Sequence, residues 1–308
     1  MGENQLVSFC IPTNGIVEWV FPVINTILNQ GVDTDLFEIV ITDNGNNEEF
    51  KNEIQNYLKK YHNIVYLETT SEGFLNQVDC FNLAKGPFVK FINHRALIVD
   101  GAVQHFVEFA AKYREIKPVV FFLNSSIQKN SLVTEYSDFD SFLRGLSYYS
   151  SWSGGLAFWK DKESISSDLM DYDSFFPHIN VLFSRPDEKV YIIDNFKFME
   201  MIDNDATKKG HYNLFYAFGV DYPRALENLR DNGKISTGCY EYILDQNESF
   251  LAKLYSDFVI LKLPCSYDLS NIQENISVYY NFEQVRRKAE RLSTKKKVKQ
   301  TIKRLLRR

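Results

Sequence analysis

The chain opens with strand-like and helix-like hydrophobic patterns in alternation. Leu6 to Ile11 is a short, nearly continuous apolar run stopped by Pro12, which predicts a buried strand. Apolar positions then recur at helical spacing from about Ile16 to Gln30 and stop at Gly31. Phe37 to Thr42 predicts a second strand, closed by the turn residues Asp43-Asn44-Gly45, and a helix with acids in its first turn runs from Glu48 to about Tyr61. Ile64 to Leu67, Phe88 to Ile92 and Val119 to Leu123 predict three more strands, separated by helical patterns over about Gly73 to Ala84 and Ala102 to Tyr113. This alternation, with short connections, implies a largely parallel sheet covered on both faces. In such sheets ligands sit beyond the carboxyl ends of the strands. Pro12-Thr13-Asn14, Asp43-Asn44 and Asn93-His94-Arg95 all fall there.

The remainder is less regular. Ser125 to about Ser150 is polar and irregular, and Trp152 to Trp159 returns as a strand around Gly154-Gly155. Val190 to Phe198 reads as strand, and Tyr212 to Asn232 and Glu248 to Leu261 as helix. The expected organisation is one α/β domain over residues 1–200 whose halves divide near residue 125, a helical region over 201–284, and a tail over 285–308. The 308 residues are 44% hydrophobic and 24% charged, enough to bury a sizeable core. No stretch approaches the ~20 apolar residues of a membrane span, and no basic region followed by an apolar run marks a secretory leader. The expectation is a cytoplasmic protein. Four scattered cysteines without a C-x-x-C pair predict buried thiols rather than disulfides or a zinc site.

Charge is divided sharply. From Val285 to Arg308 there are 12 Lys and Arg against one acid, Glu290, while the other residues carry an excess of acids. Val285, Ala289 and Leu292, then Val298, Ile302, Leu305 and Leu306, form an apolar face, with Ser293-Thr294 dividing two helical patterns. A basic amphipathic helix of this kind suits an anionic membrane surface, so the expected location is peripheral, on the inner face of the cell membrane. The acidic body argues against nucleic acid as a partner, and a second copy of the chain remains an open alternative for the tail.

Several strand ends together resemble the family 2 glycosyltransferases, which have the GT-A fold, an α/β, Rossmann-like and mostly parallel sheet. Val7-Ser8-Phe9-Cys10-Ile11-Pro12-Thr13 resembles the family's opening strand, and Glu38 to Gly45 its second strand with a terminal Asp that contacts the nucleotide base. Gly73, Asn76, Asn82 and Ala84-Lys85-Gly86 match the family's next helix and the A-x-G before its fourth strand, and Ser153 to Phe158 its Gly-rich acceptor-side strand. The resemblance covers roughly residues 5 to 180 and is greatest to enzymes that build O-antigen and capsule chains, such as abequosyltransferase-like proteins. It implies an inverting transferase that moves a sugar from a nucleotide-diphosphate donor to a surface or lipid-linked glycan. It implies donor contacts from Pro12, Thr13, Asn14, Asp43, Asn44, Gly73, Asn76 and Asn93, and acceptor contacts from Gly154 and Gly155, with the neighbouring Trp152 a candidate to stack on a sugar ring.

Two positions depart from the family. The Asp-x-Asp that holds a divalent metal is replaced by Asn93-His94-Arg95. Asn93 can still hydrogen-bond a ribose hydroxyl, whereas Arg95 cannot ligate Mg²⁺ or Mn²⁺ and brings its own charge and a fork suited to phosphate. Arg95 is therefore expected to stabilise the leaving diphosphate in place of a metal; the alternative is an ordinary ion-paired arginine. Where the family carries a Glu-Asp pair with the catalytic base, this chain has Pro177-His178, with Asp171 and Asp173 slightly upstream. His178 or one of the two aspartates is the candidate base. A catalytically silent relative that binds a glycan or partner is the competing reading.

Overall fold

The computed structural model describes residues 5–127, 131–160, 172–202 and 211–305. The chain divides into two compact units, Met1–Asp203 and Asn204–Arg308. In the first, β1 (Val7–Thr13), α1 (Val17–Leu28), β2 (Phe37–Asp43), α2 (Glu48–Lys60), β3 (Ile64–Glu68), α3 (Asn76–Leu83), β4 (Phe88–Phe91), β5 (Ala96–Ile98), α4 (Ala102–Tyr113) and β6 (Val119–Phe122) follow in order. Then come β7 (Val133–Tyr136), α5 (Phe139–Leu146), β8 (Leu156–Trp159), α6 (Pro177–Leu182), β9 (Tyr191–Asp194) and β10 (Met199–Met201). Eight strands form one sheet in the order β3-β2-β1-β4-β8-β6-β9-β7, and β5 pairs with β10 apart from it. β1 to β4, β6 and β9 run parallel; β8 is antiparallel to both β4 and β6, and β7 to β9. This is the GT-A architecture.

Every residue of β1 is buried except Pro12, and every residue of β2 is buried, as strands covered on both faces require. Pro12 is tolerated for a definable reason. Cys10 O accepts from Ile92 N, so alternate residues of β1 point their backbone groups toward β4, and Pro12 belongs to that set. The β1–β4 register ends at Cys10↔Phe91, so the missing N–H of Pro12 faces no ladder partner. At the other end of the sheet, Glu38 gathers the A-x-G turn. Its Oε1 accepts from Ser8 Oγ at 2.6 Å, Lys85 N at 2.6 Å and Gly86 N at 3.1 Å. A Cβ on Gly86 would lie 2.7 Å from Ser8 Oγ, so the glycine serves close packing at this end of the sheet.

The expected irregular stretch after Ser125 in fact contains β7 and α5. The latter buries Phe139, Phe142, Leu143 and Leu146, an i, i+3, i+4, i+7 stripe short enough to hide among polar neighbours. The expected strand over Val190 to Phe198 is shorter, β9 ending at Asp194, whose Oδ1 accepts from Phe196 N in the turn that follows; β10 begins only after it, at Met199.

The second unit is helical: α7 (Leu214–Tyr216), a π-helical turn over Ala217–Asp221, α8 (Tyr222–Asp231), α9 (Thr237–Leu254), a second π turn over Tyr255–Ile260, α10 (Ile272–Ser277) and α11 (Phe282–Leu305). The tail is not a separate element. α11 runs unbroken through Ser293 and Thr294, whose hydroxyls donate to Glu290 O within the helix at 2.8 and 2.9 Å. Val285 and Ala289 lie in the core of this unit with Leu214, Phe215 and Leu251, so the first part of the expected free apolar face is already covered. Lys288 pairs with Glu248 and Lys296 with Asp257, both on the neighbouring α9 and π segment. No helix of the described residues is long and apolar enough to cross a membrane.

Candidate functional site

The carboxyl ends of β1, β2 and β4 are drawn together by side chains that belong to their own loops. Asp43, 1% exposed, ends β2; its Oδ1 accepts from Gly45 N at 2.8 Å and its Oδ2 from Tyr66 Oη at 3.2 Å. Burial is the main cause that raises its pKa. The neighbouring turn is fitted to it: Gly15 has φ +73°, and a Cβ there would meet both carboxylate oxygens of Asp43 at 3.3 Å. A Cβ on Gly45 would lie 2.0 Å from Asn14 O, so the two loops touch through glycines that larger residues would force apart. Asn47 caps α2 by accepting from Glu49 N and Phe50 N, and its Nδ2 donates to Gly15 O at 2.8 Å.

Asn76, an expected donor contact, is buried and acts as a strut between strands. Its Nδ2 donates to Thr13 O at 2.9 Å and Thr42 O at 3.0 Å, so the first turn of α3 holds β1 and β2 together. Asn44 donates to Ser71 O and Gly73 O, which orients the approach to α3, and Gly73 adopts φ +53° at the exposed rim. Asn14 is exposed, Thr13 is buried, and Pro12 is half-buried beside them.

Beyond β4, Asn93 Oδ1 accepts from Arg95 N at 3.0 Å, closing a tight turn over His94. His94 Nδ1 and Thr13 Oγ1 are 2.9 Å apart, and the Thr13 oxygen also accepts from Gly15 N. The His94 ring meets Trp19 edge to face, and the Arg95 guanidinium lies 5.1 Å from the centroid of the same indole. Burial first, then the charge of Arg95, holds the His94 pKa down to about 3. The turn thus presents a neutral histidine and a cation. Among the described residues no group of three or more His, Cys, Asp or Glu is arranged to hold a metal. An amide, an imidazole and a guanidinium are also the wrong donor set for Mg²⁺ or Mn²⁺, which prefer carboxylate oxygens.

Gly154 and Gly155, expected at the acceptor, pack tightly against neighbouring rings. A Cβ on Gly155 would fall 2.0 Å from the Phe121 ring, and one on Gly154 would fall 2.5 Å from the Trp152 indole. Trp152 is half-buried, and its ring faces Phe121 and Phe198 as well as Gly154. Its described partners are therefore protein rather than an open platform. Tyr148 and Tyr149, just before it, stack on each other with centroids 4.6 Å apart.

His178 sits at the start of α6, 2% exposed, with neither ring nitrogen hydrogen-bonded to a side chain. Burial pushes its pKa down to about 3, so at neutral pH it is an uncharged and weakly basic imidazole. His178 therefore does not change charge between pH 6 and 7. Asp173 is half-buried, and its Oδ1 accepts from Phe175 N at 2.8 Å and Phe176 N at 2.7 Å at the turn into α6. Asp171 lies outside the described residues.

Lys90 and Trp19 are not among the residues that the sequence pattern points to. Lys90 had a visible signal: a lysine in the middle of the otherwise apolar Phe88–Phe91 strand.

Comparison with known proteins agrees with this architecture. Residues 8–155 match the model of glycosyl transferase family 2. No curated protein sequence matches the chain. Among solved structures, S. aureus TarS is 13% identical with a TM-score of 0.53, covering 83% of this chain and 44% of its own, so the chain spans less than half the length of that protein. Residues 1–349 of TarS with UDP-GlcNAc give 12% identity and a TM-score of 0.58, covering 88% of this chain and 78% of that one. The same segment with UDP gives 11% and 0.52, covering 91% and 77%. The first unit is thus a GT-A fold, and residues 8–155 carry the sequence pattern of glycosyl transferase family 2.

Proposed function

We propose that the protein transfers a sugar from a nucleoside-diphosphate donor to a cell-surface or lipid-linked glycan. The observation that carries this reading is the convergence of three parallel-strand ends, Thr13-Asn14-Gly15, Asp43-Asn44-Gly45 and Asn93-His94-Arg95, in a chain segment matching the family model. TarS has been solved with UDP and UDP-GlcNAc, which makes a uridine nucleotide the first donor to try. In this reading Asp43 and the Asn14 turn border the base, Asn93 meets the ribose, and Arg95 faces the diphosphate. Arg95 contributes the positive charge that stabilises the departing diphosphate, and a guanidinium fork can pair two phosphate oxygens at once.

For the base we favour Asp173 over His178. Asp173 is half-buried and accepts from Phe175 N and Phe176 N through one carboxylate oxygen, Oδ1, while the His178 nitrogens are buried and weakly basic. Asp173 would take the proton of the acceptor hydroxyl as that oxygen attacks the anomeric carbon from the face opposite the diphosphate, whose bond to that carbon breaks as the new one forms, which gives inversion. Kinship with the abequosyltransferase-like enzymes, and a membrane role for the end of α11, belong to the same proposal. The test is release of nucleoside diphosphate from a panel of sugar nucleotides, with and without EDTA. Turnover of one donor that survives EDTA supports the reading. No turnover and no binding of any donor would leave the silent-relative reading in its place.

A further inference from the structure

Lys90 is 0% exposed in the middle of β4, and its Nζ donates to three backbone carbonyls. These are Phe91 O at 2.8 Å, Gly154 O at 2.7 Å and Leu156 O at 3.2 Å. The rings of Phe198, Phe106 and Phe122 lie around it, with centroids at 4.6, 5.6 and 5.6 Å. Three oxygens at hydrogen-bond distance decide its form. A neutral amine has two N–H groups and a lone pair, which would point at one of the carbonyls and repel it. An ammonium satisfies all three, and the ring faces add favourable quadrupole contacts. Burial opposes this by pushing the pKa well below that of a free lysine, and no charged side chain among the described residues contributes to that shift.

The position of this charge is informative. Phe91 is the last residue of β4, and Gly154 enters antiparallel β8, so the ammonium lies at the end of the sheet where the ligand loops gather. Asn93 is only two residues beyond Phe91, roughly 7 Å of extended chain. With no acid among the described residues contributing to its shift, the charge is not cancelled by them, and in a poorly polarisable interior its field reaches further than in water.

We propose that Lys90 is a buried cation that works with Arg95 to hold the diphosphate of the donor, acting through its field rather than by contact. The proposal rests on the nucleotide-sugar reading above. Lys90 is then a positioning residue that also pins the Trp152–Gly155 turn to the end of β4.

The test compares UDP with uridine by isothermal titration calorimetry, in the wild type and in Lys90→Met and Lys90→Gln. A field on the diphosphate predicts that UDP weakens on the order of 10-fold while uridine changes less than about 3-fold. Equal weakening of both ligands would reduce Lys90 to a structural prop. Because either variant can misfold, the wild type carries a second readout, the ¹³Cε resonance of Lys90 followed with pH. It should report an ammonium at pH 7 and a titration midpoint that rises with UDP but not with uridine. A neutral amine at pH 7, or the same midpoint with both ligands, overturns the proposal. Wild-type protein that binds neither ligand, nor any other common nucleoside diphosphate, fails the nucleotide-sugar reading instead, and the ligand-free resonance still decides the charge state.

Discussion

His178 and His94 are both held neutral by burial, each with its pKa pushed from 6.5 down to about 3. The unfolded chain takes up protons at these positions as pH falls below about 6.5, and the folded chain does not until about pH 3. Their contribution to stability is therefore complete above pH 6.5 and is lost as pH falls through that window, at up to about 1.4 kcal/mol per pH unit for each group. Urea midpoints between pH 7 and pH 4 should fall less steeply in His178→Met than in the wild type; parallel curves would show that burial does not keep His178 neutral. The same burial separates His178 from Asp173 as candidate bases. Asp173→Asn retains an oxygen for Phe175 N and Phe176 N, so it should fold normally and lose turnover by about 100-fold or more. The wild-type rate should show no limb at pH 6 to 7. Full activity in Asp173→Asn would remove Asp173 from the mechanism.

At the scale of elements, the alternating half of the chain was legible because a strand buried on both faces is written as an unbroken apolar run. β2 and β6 fall within a residue of their expected ends for that reason, and α4 matches its expected span. Elements a few residues long were not legible: α5 hides its stripe in a polar stretch, and β5 forms only by pairing with β10, about 100 residues later in the chain. The site was half legible. Its loops could be placed at the strand ends, but Asn76 as a strut and Gly154-Gly155 as packing glycines depend on what touches them in three dimensions. α11 carries a similar lesson, since its apolar positions up to Ala289 are spent on the core of the second unit. A chain ending at Gln284 would strip that core, so the membrane proposal calls for a chain ending at Lys297. This shorter chain should fold and lose sedimentation with anionic liposomes at low salt, whereas the full chain should bind and be released by salt. Equal sedimentation of both would place any membrane contact elsewhere.

At the scale of the molecule, the account treats the first unit as a donor-binding GT-A scaffold in which fixed cations stand at the diphosphate. In that proposal Arg95, on a turn where the neutral His94 lies between it and Thr13, supplies the positive charge that a carboxylate-held metal would otherwise bring. The most direct measurement is UDP binding by isothermal titration calorimetry in excess EDTA and again with Mn²⁺, for the wild type and Arg95→Met. The account predicts wild-type binding that is unchanged within about 3-fold by Mn²⁺ and that falls on the order of 10-fold or more in Arg95→Met, as loss of a charge-assisted phosphate contact requires. Binding that appears only with Mn²⁺ and is indifferent to Arg95→Met would contradict it.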